Sequence, residues 1–356
     1  MIELNKPWVK EAMFWEPINE GKVRCKLCNR YCIIDKDHYG ICGVRYNHKG
    51  KLYTLVYGLL TAANVDPIEK KPLYHFHPGS LVFSISTAGC NFFCKFCLNW
   101  SISQARRNEI FGEFVEPDRI VEMALRRGSD GISYTYNEPT VFYELMYDTA
   151  KLAKKKGLFN TMVTNGYLTI EAAKEISKFM DAATIDLKAS GNREFYKNFM
   201  NVPDPEPIYD TVVELKKNGV FIEITNLIIP IADNELKDLR KLVRWIVNEL
   251  GEETPLHLLR FYPNYLMTNV EPTPIELLER CAKIAKDEGL KHVYLGNVPG
   301  HPLEHTYCPK CGELVIERYG FDIINYKLTE ENRCPKCGHK LNIVGKYRKR
   351  RFLWFF

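Results

Sequence analysis

Cys90, Cys94 and Cys97 stand in the stretch GCNFFCKFCLNW, spaced C-x3-C-x2-C, directly after the apolar run LVFSISTA. Thiols this close on one short loop point to a metal rather than to a disulfide, and their number narrows the kind of metal. A structural zinc ion takes four ligands. A cubane iron–sulfur cluster can be wrapped at three corners by a short loop, which leaves its fourth iron open to a further ligand. The competing reading is a zinc ion held by three thiolates and completed by a distant histidine, with His75, His77 and His257 as candidates.

Of the chain's twelve cysteines, eight more fall into two further clusters. Cys25, Cys28, Cys32 and Cys42 lie in CKLCNRYCIIDKDHYGICGVR, and four thiols so near one another suit zinc or a second iron–sulfur cluster. His38, inside the same segment, is read as a bystander. Cys308, Cys311, Cys334 and Cys337 come as two copies of CPKCG. Each copy forms a knuckle that turns both thiolates toward one ion, and the glycine after it supplies the turn. Two knuckles complete a tetrahedral shell, so a zinc ribbon is expected, with ELVIERY and FDIINYKL as its strands; iron in a rubredoxin-like site is the alternative. A filled shell has no open position, and its role is structural. Cys281 stands alone on a helical face with Leu277, Leu278 and Ile284, where it reads as a core thiol.

The elements that must position the three-cysteine loop alternate in type between about residues 80 and 296. Runs such as LVFSIST, GISYTY, FNTMVT, AATIDL, VFIEITNLII, PLHLLRFY and HVYL are rich in β-branched and aromatic residues and nearly continuously apolar, as strands buried on both faces are. Between them lie amphipathic segments with capping residues at their starts and glycine at several ends. Six or more βα units predict a parallel α/β sheet, barrel-like or doubly wound. In such folds the chemistry sits on loops at the carboxyl ends of strands, where Cys90, Cys94 and Cys97 follow the first strand. The expected organisation is a Cys-rich region at 1–79, an α/β body at 80–303, and the ribbon with a basic and aromatic tail at 304–356.

The sequence of 356 residues is 46% hydrophobic and 26% charged, ordinary for a globular protein, and its net charge of +5 gives no ground by itself for nucleic-acid binding. The densest basic run, KYRKRR at 346–351, leads into FLWFF and reads as a solvated tail with an aromatic anchor. The longest uncharged apolar-rich run has 14 residues, short of the roughly 18 that span a bilayer, so no membrane segment is expected. No apolar leader core is visible near residue 1, and clustered cysteines without one point to the cytoplasm.

The three-cysteine motif, with Phe96 before its last cysteine and a strand before its first, resembles the radical S-adenosylmethionine (SAM) superfamily. That resemblance implies a partial (β/α)6-type barrel, a [4Fe–4S] cluster on Cys90, Cys94 and Cys97, and SAM on the open iron. Reductive cleavage of SAM would give a 5′-deoxyadenosyl radical that abstracts hydrogen from a substrate. YNEPT, TNGYL and TIDLKA are similar to the strand ends of pyruvate formate-lyase activating enzymes. By that match Glu138 receives the SAM ammonium, Thr164, Asn165, Asp186 and Lys188 lie near SAM or substrate, and His257 lies beside the SAM carboxylate. Val163 stands where the activase pattern has an aspartate.

Taken together, CKLCNRYC, DPIEKKPLYHFHPG, AGCNFFCKFCLNW, EITNLIIP, HLLRFYPNY, YLGNVPG and the terminal ribbon resemble the AmmeMemoRadiSam-system branch of the superfamily. Leu98 departs from that branch, which has Gln before Asn. The branch implies AMMECR- and Memo-type partners, a protein or small-molecule substrate, and an electron donor such as ferredoxin or flavodoxin. Two other functions remain open at this point: RNA modification, supported by the ribbon and KYRKRR, and a non-catalytic module with zinc in every cysteine site.

Overall fold

The computed structural model describes residues 3–232 and 235–349. The FLWFF end of the tail, expected to act as an anchor, lies outside the described residues. No disulfide joins the described cysteines.

The central sheet has eight strands: β1 (Ala62–Pro67), β2 (Leu81–Ser86), β3 (Gly131–Tyr134), β4 (Phe159–Thr164), β5 (Ala182–Lys188), β6 (Phe221–Ile228), β7 (Leu256–Arg260) and β8 (Val293–Gly296). They lie side by side in chain order. Strands β2 to β8 are parallel, and β1 runs antiparallel to β2 at one edge. A doubly wound sheet reverses its strand order at a switch point, and this sheet does not. Its outer strands, β1 and β8, do not pair with each other.

Seven of the eight strands are the apolar runs read from sequence. The eighth, β1, lies in the region expected to stand apart as a Cys-rich segment. It pairs with β2 through Ala62–Ser86, Asn64–Ser84 and Asp66–Val82. Helices α1 (Pro117–Arg126), α2 (Tyr143–Lys155), α3 (Ile170–Ser177), α4 (Arg193–Met200), α5 (Pro207–Lys217), α6 (Glu235–Trp245) and α7 (Ile275–Asp287) fill the crossovers. Thr169 caps α3 by accepting from the N–H of Ala172, and Asn192 caps α4 by accepting from the N–H of Phe195. Cys281 is fully buried on α7 among core residues, as its helical face predicts.

The segment after β1 crosses the amino ends of the strands. The hydroxyl of Thr184, early in β5, donates to the carbonyl of Lys71, and the N–H of His75 donates to Glu223 Oε1 at 2.7 Å. Strands Thr306–Tyr307, Leu314–Tyr319 and Asp322–Tyr326 form a small antiparallel sheet. It docks on this same end: Arg318 donates to the carbonyl of Tyr74, and Val344 bridges to Phe76. The first part of the basic run follows, with the N–H of Arg348 on the carbonyl of Pro78 at 2.9 Å. The C-terminal module therefore sits opposite the carboxyl ends of the strands. Among the described residues no helix is long and apolar enough to cross a membrane.

Candidate active site

The carboxyl ends of the strands surround a cavity of about 240 Å³. Cys90, Cys94 and Cys97 line it from the loop after β2, Glu138 from the loop after β3, Thr164 and Asn165 from the end of β4, and Asp186 and Lys188 from the end of β5. Eight of the nine residues singled out in this part of the sequence thus face one space. The ninth, His257, does not.

The cysteine loop is fixed at its base by Gly89. Its φ of 93° is in the left-handed region, and a Cβ there would lie 2.6 Å from Val44 Cγ1. Farther along, the N–H groups of Phe93 and Lys95 donate to the carbonyls of Met200 and Phe199 at the end of α4. Cys97 Sγ lies 3.3 Å from the Ser103 hydroxyl. Burial pushes the Cys90 thiol up to about 12, with the negative charge of Glu138 adding to the shift. Burial also raises Cys94 well above an ordinary thiol, while the Lys188 ammonium pulls the other way.

Glu138 is 4% exposed and saturated on one side. Its Oε1 accepts from the Thr140 N–H at 3.0 Å, the Thr140 hydroxyl at 2.6 Å and the Thr164 hydroxyl at 2.7 Å. Its Oε2 accepts from the Asn165 N–H at 2.7 Å. Burial raises its pKa, and these donors oppose the rise. Capping is therefore one of its roles, through Thr140 at the start of the helical turn Pro139–Phe142. Gly166, with φ of 70°, lets the chain turn at once after Asn165; a Cβ there would meet Ile208 at 2.9 Å.

Asp186 and Lys188 alternate by two on β5 and share a face. Lys188 Nζ donates to Asp186 Oδ2, and the Thr225 hydroxyl on β6 donates to Asp186 Oδ1 at 2.7 Å. Burial alone would lower the Lys188 pKa, but Asp186 and the nearby Cys94 raise it, so the side chain stays charged.

His257 shares a strand face with Leu259, which lines the cavity, but it lies one layer deeper. Its Nε2 is 2.7 Å from Glu223 Oε2, and its ring packs on Tyr74 and Tyr294. His75 is bonded to Tyr294 and to the Asn342 carbonyl at the amino end of the sheet. Neither these two nor His77 lines the cysteine cavity, so the zinc reading of the three thiols loses its candidate fourth ligands.

The sulfur spacings single out the C-terminal cysteines. Four thiolates at about 2.3 Å around one zinc lie about 3.8 Å apart. The sulfurs of Cys308, Cys311, Cys334 and Cys337 meet this, with 3.6 Å between Cys308 and Cys337 and 3.7 Å between Cys311 and Cys334. Among the described residues this is the one group of three or more His, Cys, Asp or Glu ligand atoms that lie within 4.8 Å of one another. Cys90, Cys94 and Cys97 share a cavity without gathering in this way.

Sequence reasoning missed part of the cavity wall. Arg260, at the end of β7, and Asn297, after β8, line it, and both occupy strand-end positions where the parallel-sheet rule would have placed them. Trp100, beyond the last cysteine, stacks on Tyr265 with ring centres 5.1 Å apart. No periodic signal links those two residues.

The radical SAM superfamily model matches residues 84–246. An uncharacterized protein of Methanocaldococcus jannaschii is 48% identical over 338 residues, spanning 94% of this chain and all of that protein. The pyruvate formate-lyase-activating enzyme of Clostridium pasteurianum is 23% identical over 218 residues, or 56% of this chain and 87% of the enzyme. A crystal structure of a domain of the pyruvate-formate lyase-activating enzyme from Bacteroides vulgatus overlaps 48% of this chain and all of that domain, with 20% identity and a TM-score of 0.41. With the matched segment carrying the three-cysteine loop and the strand ends that face it, the chain belongs to the radical SAM superfamily.

Proposed function

We propose that the protein is an activase-like radical SAM enzyme of the AmmeMemoRadiSam type, built on a partial (β/α)6-type barrel, that abstracts hydrogen from a protein or small-molecule substrate. The observation that carries this reading is the convergence of Cys90, Cys94 and Cys97 with Glu138, Asp186 and Lys188 on one cavity that, among the described residues, no fourth cysteine or histidine lines. When bound, a [4Fe–4S] cluster and SAM supply the one-electron reductive cleavage that generates a 5′-deoxyadenosyl radical.

The chain's own residues bind and orient. Glu138 Oε2 holds the Asn165 N–H and keeps a lone pair for an ammonium group, a charge-assisted contact. Thr164 and Asn165 fix that carboxylate, and Thr225 fixes Asp186. Lys188 holds a positive charge beside Cys94, which favours thiolate there. Phe96, Phe261, Leu227 and Leu259 give the cavity apolar walls that limit water. Zinc fills the ribbon and holds the C-terminal module together. A ferredoxin or flavodoxin supplies electrons, AMMECR- and Memo-type proteins act with the enzyme, and the cytoplasm is the compartment.

The test is anaerobic reconstitution with iron and sulfide, followed by dithionite and SAM. The wild type should release 5′-deoxyadenosine and Cys94→Ala should release none. Equal release by the variant would overturn the reading.

A further inference from the structure

Tyr136 takes a backbone conformation that aromatic residues rarely adopt. It follows the end of β3 by two residues, and its φ of 67° is left-handed. A residue stays in that region only when its surroundings hold it there. Here the hydroxyl donates to Asp66 Oδ2, and the Lys71 ammonium lies 4.5 Å from the centre of the ring. The carbonyl accepts from Asn99 Nδ2 at 2.7 Å.

Asp66 and Lys71 belong to the stretch DPIEKKP, which the reaction proposed above leaves without a role. Asp66 is buried near the end of edge strand β1, and Lys71 is buried in the segment that follows. One Asp66 oxygen accepts from Lys70 Nζ at 2.8 Å. The other accepts from Lys71 Nζ at 2.7 Å and also holds the Tyr136 hydroxyl. The Lys71 carbonyl accepts from the Thr184 hydroxyl, so the ring is tied to β1 and, through Lys71, to β5. Burial, and next the bond to Asp66, raise the Tyr136 pKa, which keeps its hydroxyl a donor.

On its other side the turn at Tyr136 holds the cysteine loop at both ends. Asn137 Nδ2 donates at 2.7 Å to the carbonyl of Gly89, just before Cys90. Asn99, two residues after Cys97, gives its side chain to the Tyr136 carbonyl and does not cap the helical turn Trp100–Ser103 that it precedes. That helical turn feeds back on the loop. The Ile102 carbonyl accepts from the Gly89 N–H at 2.9 Å, and the Ser103 hydroxyl lies 3.3 Å from Cys97 Sγ. Releasing Tyr136 toward an ordinary backbone conformation would turn its carbonyl from Asn99 and carry Asn137 off Gly89.

We propose that Tyr136, anchored by Asp66 and Lys71, is a positioning residue for the cysteine loop, fixing it at Gly89 and at Asn99. The hold on the loop stands on these contacts; its effect on SAM rests on the radical SAM reading. A loop that opens at either end presents Cys90 and Cys97 to the cavity in more than one arrangement. Ligand affinity then falls with the fraction of molecules in the competent one.

The test is amide hydrogen exchange on the full chain, with urea unfolding as the measure of global stability. In Tyr136→Phe, which keeps the ring and removes the hydroxyl, the segment 99–104 should exchange about fivefold faster, the worth of one hydrogen bond. Asn99→Ala cuts the same link at its other end and should do the same, and the double variant should exchange no faster than either single. His257→Gln, which lowers stability elsewhere in the fold, should leave this segment unchanged. An unchanged rate in Tyr136→Phe would overturn the proposal, and so would additive effects in the double variant. After reconstitution, Tyr136→Phe should bind SAM about fivefold more weakly than the wild type by titration calorimetry. Equal affinity would remove the link to ligand binding. A wild type that takes up iron and binds no SAM would instead defeat the enzymatic reading, with the exchange rates still deciding this one.

Discussion

Glu138 and Asn165 are joined across neighbouring strand ends, with the Asn165 N–H donating to Glu138 Oε2 at 2.7 Å. One carboxylate after β3 is thereby aimed by the turn after β4, and the aim depends on backbone geometry that Gly166 permits. The Asn165 side chain extends the link by donating to Asn91 Oδ1 at 2.7 Å, beside Cys90.

Glu138→Gln should weaken SAM binding by one to two orders of magnitude, because a charge-assisted hydrogen bond of about 1.5–3 kcal/mol is lost. Titration calorimetry on the reconstituted protein checks this, with iron content as the control that the cluster is still in place. Affinity within about twofold of wild type would remove Glu138 from the SAM site.

Lys188→Met leaves Asp186 with the Thr225 hydroxyl as its remaining side-chain partner in this group. The pair is partly exposed, so the expected loss is about 1–3 kcal/mol, less than for a fully buried pair. Urea unfolding measures it. The Asp186→Asn, Lys188→Met double variant should lose less than the sum of the two single variants, because the residues are coupled.

His257→Gln should cost stability through Glu223, which is fully buried, and leave SAM affinity unchanged. The same urea and calorimetry measurements separate the two effects. A large loss of SAM affinity at unchanged stability would return His257 to the binding site.

Cys32 and Cys90 have pKa values raised to about 11 and about 12, against an ordinary 9.0. In the metal-free chain both are therefore thiols at neutral pH, while metal ligands must be thiolates. Cluster assembly should release protons, and iron retention should fall as pH falls. The metal-free fold should also lose stability as pH rises from about 9 toward 12, because its raised pKa values make ionisation costlier folded than unfolded. Iron retention and thermal unfolding measured against pH check both signs.

Much of this site was legible because its residues follow strand ends. Apolar runs gave seven strands, the parallel-sheet rule placed the cysteine loop at their carboxyl ends, and the resemblance to activating enzymes singled out Glu138, Asn165, Asp186 and Lys188 on neighbouring strand ends. Strand β1 was harder to see, since Ala62–Pro67 is short, ends in Asp-Pro and lies among residues that read as a Cys-rich connector. The layer of His257 was also hidden: alternation gives a face, but not how deep along the strand a side chain sits. Spacing in sequence likewise left zinc and iron–sulfur equally open for Cys25, Cys28, Cys32 and Cys42. Their gathering around one pocket depends on Asn29, Arg30 and Arg106 binding to distant loops, which no local pattern records.

The most direct test of the central claim is whether SAM reaches an open iron held by Cys90, Cys94 and Cys97. Electron paramagnetic resonance of the dithionite-reduced protein, with and without SAM, reads this without any knowledge of the substrate. The cluster signal should shift on adding SAM, and the shift should disappear in Glu138→Gln at the same SAM concentration. A signal indifferent to SAM in the wild type, with full iron content at these three cysteines, would contradict the account.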